Sequence, residues 1–195
     1  MIIWVIVLLL TACGSTKVNT AQSRFYQSFV TRFNVYHNGN EAYKEGLSAQ
    51  EKSHKDNYME IIPLFPVSKE NTRSSGSGSF DKAIEKSQKA IKLHSIKQKP
   101  KKKAGRKLSE KDKLWYAKKE YNPYLHNAWM LMGKAQFQKG EFLEAASTFS
   151  YITRLYSEDP KIVAEARMRM AQCYAELEWN YEADNLLAQI GRDSI

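Results

Sequence analysis

Cysteine, proline and glycine are all scarce in this chain of 195 residues. The two cysteines, Cys13 and Cys173, stand in different contexts, so the sequence predicts no disulfide framework. Four histidines without metal-ligand spacing predict no metal site. Five prolines and nine glycines leave room for long uninterrupted helices, and a hydrophobic content of 43% is enough to build a core.

Sequence signatures of catalysis are missing as well. No nucleophile and base stand in a recognisable arrangement, and no cluster of metal ligands stands out. The Gly/Ser tract at 74–79 is not a phosphate loop, because Gly76 and Gly78 lack a third glycine and no Lys-Ser or Lys-Thr follows. We therefore expect a protein that is not an enzyme, with no cofactor and no small-molecule substrate.

The apolar run at residues 2–10, IIWVIVLLL, is too short to span a bilayer and matches the central part of a secretory signal. The residues Leu10-Thr11-Ala12-Cys13 that close it look like a bacterial lipobox, in which Cys13 is acylated. A plain secretion signal with a coincidental cysteine is the alternative. We interpret residues 1–12 as a lipoprotein signal peptide and residues 13–19 as a lipidated tether, with the protein anchored in a membrane through Cys13.

The net charge of +9 is concentrated in one segment. Residues 97–113 hold nine Lys and Arg against Glu110 and Asp112, which leaves the rest of the chain close to neutral at +2. Basic charge near Trp115 and Tyr116 is compatible with a polyanion or nucleic-acid binder. A solvated loop, or one that meets anionic lipid, is the alternative that we favour in an exported protein, so no nucleic-acid partner is expected.

The strongest pattern lies between His126 and Pro160. Its positions are Trp129, Met132, Gly133, Gly140, Phe142, Ala145, Phe149 and Pro160. This spacing is typical of one tetratricopeptide (TPR) unit. Gly133 and Ala145 have almost no side chain, so two antiparallel helices can approach closely, while Gly140 separates the helices.

A similar pattern follows 38 residues later, when Ala183 is aligned with Ala145. Ala171 then falls beneath Gly133, and Tyr174 supplies an aromatic residue of the repeat. Cys173 is predicted to be a buried small apolar residue, and Gly191 a helix C-cap.

The N-terminal part predicts further helices. Residues 20–37 form an amphipathic pattern whose aromatic residues are expected in the core, namely Phe25, Tyr26, Phe29, Phe33 and Tyr36. A turn or kink is predicted at Asn38-Gly39-Asn40, followed by a helix to about Ser53. The small-residue seam of that helix is predicted to be Ala42, Gly46 and Ala49. Its partner runs from Phe80 to about Ile96, and a short helix over Ser109–Tyr121 opens with a capping pair of Ser109 and Asp112.

These elements predict an all-α fold, a TPR-like helical-hairpin solenoid of about three hairpins with two long inserted loops. The predicted units after the tether are an N-terminal helix and first hairpin at 20–97 with a loop insertion at 56–79, a basic insertion with a short helix at 98–124, a second hairpin at 125–159, and a third at 160–195.

Three stretches carry a resemblance to a known family: FYQSFVTRFNVYHNGNEAYKEGL, DKAIEKSQKAIKLHSIK and NAWMLMGKAQFQKGEFLEAASTFSYITRLY. They resemble the PorW/SprE-type TPR lipoproteins of the bacterial type IX secretion system. The resemblance implies an outer-membrane lipoprotein on the periplasmic side that supports protein secretion and gliding motility through other protein components of the machine. Members of that family are longer, so the resemblance implies that this chain matches their N-terminal part.

A TPR array presents a concave face built from the first helix of each pair, which makes a scaffold or adaptor the leading function. The predicted partner-binding residues of this face are Asn127, Met130, Lys134, Phe137, Gln138, Glu165, Met168, Gln172 and Glu176. The alternatives are a TPR lipoprotein of outer-membrane-protein assembly, or a helical polyanion binder that uses residues 97–113.

Overall fold

The computed structural model of the chain describes residues 15–55, 58–59, 77–101, 105 and 108–193. Within these ranges all regular structure is helical and no strand is present, which confirms the predicted all-α class. The signal peptide 1–12, Cys13, most of the 56–79 insertion and part of the basic segment lie outside the described residues.

The helices follow one another along the chain with short connections after Leu125. They are α1 Ala21–Val30, a π-helical segment Thr31–Tyr36, α2 His37–Ser53, α3 Ser77–His94, α4 Glu110–Ala117, α5 Leu125–Gln138, α6 Phe142–Leu155, α7 Pro160–Glu176 and α8 Asn180–Asp193. Apart from α4, each helix packs on the next one along the chain: α2 on α3, α3 on α5, α5 on α6, α6 on α7 and α7 on α8.

Several helix ends agree with the chemistry of their capping residues. Ser109 and Asp112 form the predicted capping box at the start of α4, in which each side chain accepts a hydrogen bond from the other's backbone N–H. Asp159 caps α7 by accepting from the Ile162 N–H at 3.3 Å, and Pro160 occupies the first helical position, where no N–H is needed.

Four predicted boundaries are wrong. The α4 helix ends at Ala117, not at Tyr121, and α3 begins at Ser77, inside the Gly/Ser tract and the predicted loop insertion at 56–79. Gly191 lies inside α8 and is not its C-cap. The chain does not turn at Gly39, because the helix runs through it from Ala21 to Ser53.

Gly39 is a packing residue of α2. A Cβ placed there would lie 3.1 Å from the Cβ of Lys86 on α3 and 3.3 Å from Cδ2 of Leu131 on α5. With Ala42 and Gly46 it forms the buried small-residue stripe of this helix, whereas Ala49, predicted to belong to it, is exposed. The stripe therefore starts one turn earlier than the sequence suggested.

The phenylalanines of α1 and Phe33 of the π-helical segment point away from the core, so their predicted burial is wrong. Phe25, Phe29 and Phe33 are 74%, 52% and 58% exposed. The buried stripe of the same helix is polar, consisting of Ser23, Gln27 and Thr31, followed by Val35. Tyr36 is half-buried and packs edge-on against Tyr124, with ring centroids 5.3 Å apart.

At two glycines a phenylalanine ring of the neighbouring helix packs directly against the backbone. A Cβ added to Gly133 on α5 would lie 2.7 Å from the ring of Phe149 on α6, and one added to Gly46 on α2 would lie 2.6 Å from the ring of Phe80 on α3. Both distances are shorter than van der Waals contact, so each phenylalanine ring occupies the space that a side chain would need. These contacts set the spacing within the pairs α2/α3 and α5/α6.

A buried polar hub joins the end of α3 to the segment before α5. Glu120 Oε1 accepts from the backbone N–H groups of Ile96 and Asn122, both at 2.8 Å, and of Tyr121 at 3.0 Å. The Asn122 amide donates to Thr31 Oγ1 at 3.0 Å and to the His94 carbonyl at 2.9 Å. The hub therefore ties the π-helical segment, α3 and α5 together.

Gly133→Leu should destabilise the protein, because the new side chain overlaps the Phe149 ring and overpacking costs ~1–3 kcal/mol or more. A thermal melt should show a decrease of about 2–4 °C for each kcal/mol lost. Gly191→Ala is the matched control, because a Cβ there meets no atom within 4 Å among the described residues. Equal melting of Gly133→Leu and the parent chain would contradict the close contact.

Glu120→Ala should be more damaging than Glu120→Gln. The alanine leaves the buried backbone N–H groups of Ile96 and Asn122 without their acceptor, each costing ~1–3 kcal/mol, whereas the Tyr121 N–H still donates to the Ile96 carbonyl at 3.0 Å. Glutamine keeps an Oε1 atom that can accept from the same donors. Denaturant unfolding of the two variants measures the difference, and equal losses would mean that the hub does not depend on this oxygen.

Candidate functional site

Four of the predicted partner-binding residues meet at one cavity. Lys134, Phe137 and Gln138 from α5 and Gln172 from α7 line a space of about 40 Å³. Tyr43 from α2, Phe149 from α6 and Arg169 from α7 complete its wall. This volume is enough to admit a water molecule or a small polar group.

Helical spacing and the Gly133 contact explain why these side chains converge. Lys134 and Gln138 are four residues apart and therefore lie on one face of α5. Arg169 and Gln172 are three apart on α7, and the Arg169 guanidinium donates to Gln172 Oε1 at 3.2 Å. Because Gly133 lets α6 approach, the Phe149 ring reaches the cavity wall.

The cavity combines positive charge with aromatic surface. The Lys134 ammonium lies 5.6 Å from the centroid of the Tyr43 ring, within cation–π range. Burial lowers the pKa of Lys134, and the neighbouring Arg169 cation lowers it further, while Glu165 acts in the opposite direction. Burial raises the pKa of Tyr43, against a hydrogen bond with Gln138 and the charge of Arg169. Both cations are therefore held at a site where a negative or strongly polar group would relieve their mutual repulsion.

Two buried polar atoms at the cavity have no hydrogen-bond partner among the residues that the structure describes. They are Gln138 Oε1, an acceptor, and Arg169 Nε, a donor. The Gln138 backbone is held in place, because its carbonyl accepts from Gln50 Nε2 at 2.8 Å. A peptide backbone, which offers one donor and one acceptor per residue, has the chemistry to satisfy both atoms.

The other residues predicted for the concave face do not line this cavity. Met130 is 5% exposed and packs in the core between α5, α6 and α7, so its predicted role in binding a partner is wrong. Asn127 is half-buried and donates to the Tyr124 carbonyl at 3.3 Å. Glu165 and Met168 are exposed on α7, and Glu176 is half-buried near its end.

The residues matched to the repeat pattern lie at helix contacts and turns. Trp129 packs on Tyr151 with centroids 4.8 Å apart, and Tyr174 packs on Trp179 at 5.5 Å. Gly140 has a φ of +77° in the α5–α6 turn, a conformation that favours glycine. The remaining positions are buried: Gly133, Ala145, Phe149, Ala171 and Ala183.

Sequence reasoning missed Tyr43 and Arg169. Arg169 follows Glu165 by four residues and precedes Gln172 by three, so the spacing used for the α7 face also selects it. Tyr43 carried no comparable signal, because α2 was interpreted only through its small residues. Its place at the cavity depends on the packing of α2 near α5.

Cys173, predicted to be buried, is fully buried, and burial raises its thiol pKa to about 12. Across the described ranges, no group of three His, Cys, Asp or Glu side chains could hold a metal ion. In the same ranges no helix combines the length and apolar character needed to cross a membrane.

The sequence matches no protein-family model and no curated protein.

Lys134→Met should leave the free energy of unfolding at neutral pH unchanged or raise it, because methionine keeps an apolar stem and removes a partly buried ammonium. The pKa of Lys134 in the folded protein lies below the ordinary 10.5, so the parent chain should gain stability relative to the variant as pH rises through that lowered pKa towards 10.5.

Denaturant unfolding of both chains across this alkaline range measures the effect. A parallel pH dependence in the two chains would show that Lys134 is solvated like a surface lysine.

Proposed function

We propose that this protein is a non-enzymatic TPR-type scaffold that binds another protein, with one polar group of the bound segment entering the cavity between α2, α5 and α7. Its helices form a TPR-like solenoid with three hairpins, α2/α3, α5/α6 and α7/α8. The supporting features are the close Gly46–Phe80 and Gly133–Phe149 contacts and the buried alanines of the later pairs.

The observation that carries the proposal is the convergence of Lys134, Gln138 and Gln172 with Tyr43 and Arg169. These side chains offer two cations, amide groups and aromatic rings, together with an unsatisfied donor and an unsatisfied acceptor. A polypeptide with a carboxylate or a carbonyl at the right place can fill the polar positions, and its apolar groups can contact the rings. Most of these groups come from the first helices of the pairs, where repeat scaffolds bind their partners.

We further propose that the scaffold is anchored by acylation of Cys13 at the periplasmic face of the outer membrane and works with other protein components of a type IX secretion machine. The lipobox-like Leu10-Thr11-Ala12-Cys13 and the three family-like stretches support this placement. Several acyl chains on one cysteine would anchor the protein stably, whereas a single chain binds only marginally.

A photo-cross-linking amino acid at Gln138, in the cavity wall, should capture a protein partner in intact cells. The same label at Leu143, which is 54% exposed on α6 and does not line the cavity, is the matched control. Arg169→Met should strongly reduce the cross-link from Gln138. Equal capture from both positions, or capture that is insensitive to Arg169→Met, would mean that the cavity is not the binding site.

The lipid anchor has a separate test. Cells fed an alkyne analogue of palmitate should incorporate it into the parent chain but not into Cys13→Ser. Cys173→Ser is the control and should be labelled like the parent, because Cys173 is fully buried. Labelling of the Cys13→Ser chain would contradict acylation at this position.

A further inference from the structure

The N-terminal helix carries an exposed row of aromatic side chains, here called the aromatic ridge: Phe25, Tyr26, Phe29 and Phe33. The rings of Phe25 and Phe29 stack with centroids 6.3 Å apart, and those of Phe29 and Phe33 lie 4.9 Å apart. Three of the four side chains are more than half exposed, and Tyr26 is 41% exposed. The residues therefore form one continuous apolar strip rather than scattered exposed side chains.

The other face of the same helix explains why the ridge points outward. Ser23 Oγ donates to the Ser15 carbonyl at 2.6 Å, and Gln27 Oε1 lies 2.6 Å from Nδ1 of His94. Thr31 Oγ1 accepts from Asn122 at 3.0 Å. Rotating the helix to bury the phenylalanines would break these buried hydrogen bonds, so the fold itself holds the ridge in solvent.

The charged residues of the chain segment that carries the ridge have one sign. Residues 15–40 contain Lys17, Arg24 and Arg32 and no acidic residue. The Arg32 guanidinium lies 5.0 Å from the centroid of Phe33, and that of Arg24 lies 5.0 Å from the centroid of Trp115. The ridge is therefore bordered by cations that contact aromatic rings.

The ridge continues into a groove of about 390 Å³ that includes Arg24, Phe25, Trp115 and Lys118. The Lys118 ammonium lies 5.6 Å from the Trp115 centroid. Two acidic residues, Glu120 and Asp159, also line this groove.

Both acidic residues are already used within the protein. Glu120 accepts from three backbone N–H groups, and Asp159 caps α7. The groove therefore holds two basic and two acidic side chains, and the excess of basic residues near the ridge comes from Lys17 and Arg32.

We propose that the aromatic ridge lies on a phospholipid bilayer with anionic headgroups. Aromatic side chains on one face of a helix, together with basic residues and no acidic ones, suit the boundary between headgroups and acyl chains. A second copy of this chain suits the ridge less well, because two identical ridges would bring Arg24 and Arg32 of both copies together. The proposal goes beyond the scaffold function, and it adds a second contact to the anchor at Cys13 without depending on it.

Vesicle sedimentation tests this contact. The parent for the test carries Cys13→Ser, so that acyl chains are absent and the N-terminal apolar run is common to all variants. It should bind vesicles of phosphatidylethanolamine and phosphatidylglycerol in equal parts more tightly than vesicles of phosphatidylcholine alone. Replacing Phe25, Phe29 and Phe33 together with serine should weaken binding by about ten-fold or more, since affinity follows the apolar area that enters the interface.

The matched control replaces Leu143, Met168 and Leu187 with serine, which are 54%, 40% and 51% exposed on other helices. It should bind like the parent. A second ridge variant with leucine at positions 25, 29 and 33 should retain most of the binding, which separates loss of apolar area from loss of folding.

Two results would overturn the proposal. One is equal vesicle binding by the parent and the serine ridge variant, or no binding by the parent. The other is a dimer in analytical ultracentrifugation that the serine ridge variant abolishes while vesicle binding is unchanged, which would assign the ridge to a second copy. Neither result affects the cross-link at Gln138, because the vesicle assay contains no other protein.

Discussion

Two contacts between a glycine and a phenylalanine ring set the spacing of α2 from α3 and of α5 from α6. The Phe149 ring occupies the space where a side chain of residue 133 would be, and the Phe80 ring occupies the corresponding space at Gly46. At both places one helix backbone lies directly against an aromatic ring, which gives dense packing without polar groups. The first contact places α6 close to α5, so that Phe149 forms part of the cavity lined by Lys134 and Gln138. The candidate site is thus a consequence of the packing.

Polar contacts then connect the N-terminal helix to the later ones. Glu120 and Asn122 bind backbone groups at the end of α3 and the Thr31 side chain of the π-helical segment. The polar side of the N-terminal helix faces the hub, because Gln27 contacts His94 and Thr31 accepts a hydrogen bond from Asn122. The aromatic side of the same helix is therefore exposed. The same hydrogen bonds that stabilise the fold therefore produce an exposed apolar surface. Cavity and ridge are separate surfaces, with different chemistry and different proposed partners.

The sequence was informative wherever a small residue and a large one recur at fixed spacing. The all-α class, the helices on either side of Gly140 and the burial of Cys173 followed from such local patterns. The aromatic stripe of α1 was assigned to the wrong face, because periodicity tells which residues share a face but not which face is buried. That choice depends on His94 and Asn122, which are 67 and 91 residues away from their partners in the chain.

The residues that line the cavity could also be predicted only in part. Lys134, Phe137, Gln138 and Gln172 were predicted from the geometry of single helices, whereas Tyr43 comes from a helix about ninety residues earlier in the chain. Met130 was wrongly assigned to the concave face of α5, because the predicted face included too many positions of the helix. Its side chain packs in the core between α5, α6 and α7. Long-range packing decides which positions of a helix face a neighbour and which face a partner.

Proton NMR of Gly133 and Gly46 tests whether the rings of Phe149 and Phe80 lie against these glycines. If Phe149 lies against Gly133 and Phe80 against Gly46, the α protons of both glycines experience the ring current of the phenylalanine. We expect strongly shifted α-proton resonances for both glycines, with nuclear Overhauser effects to the ring protons of Phe149 and Phe80. Gly191, which no side chain approaches among the described residues, should show ordinary helical shifts. Unshifted resonances at Gly133 and Gly46 without contacts to the rings would contradict the helix spacing, and with it the cavity.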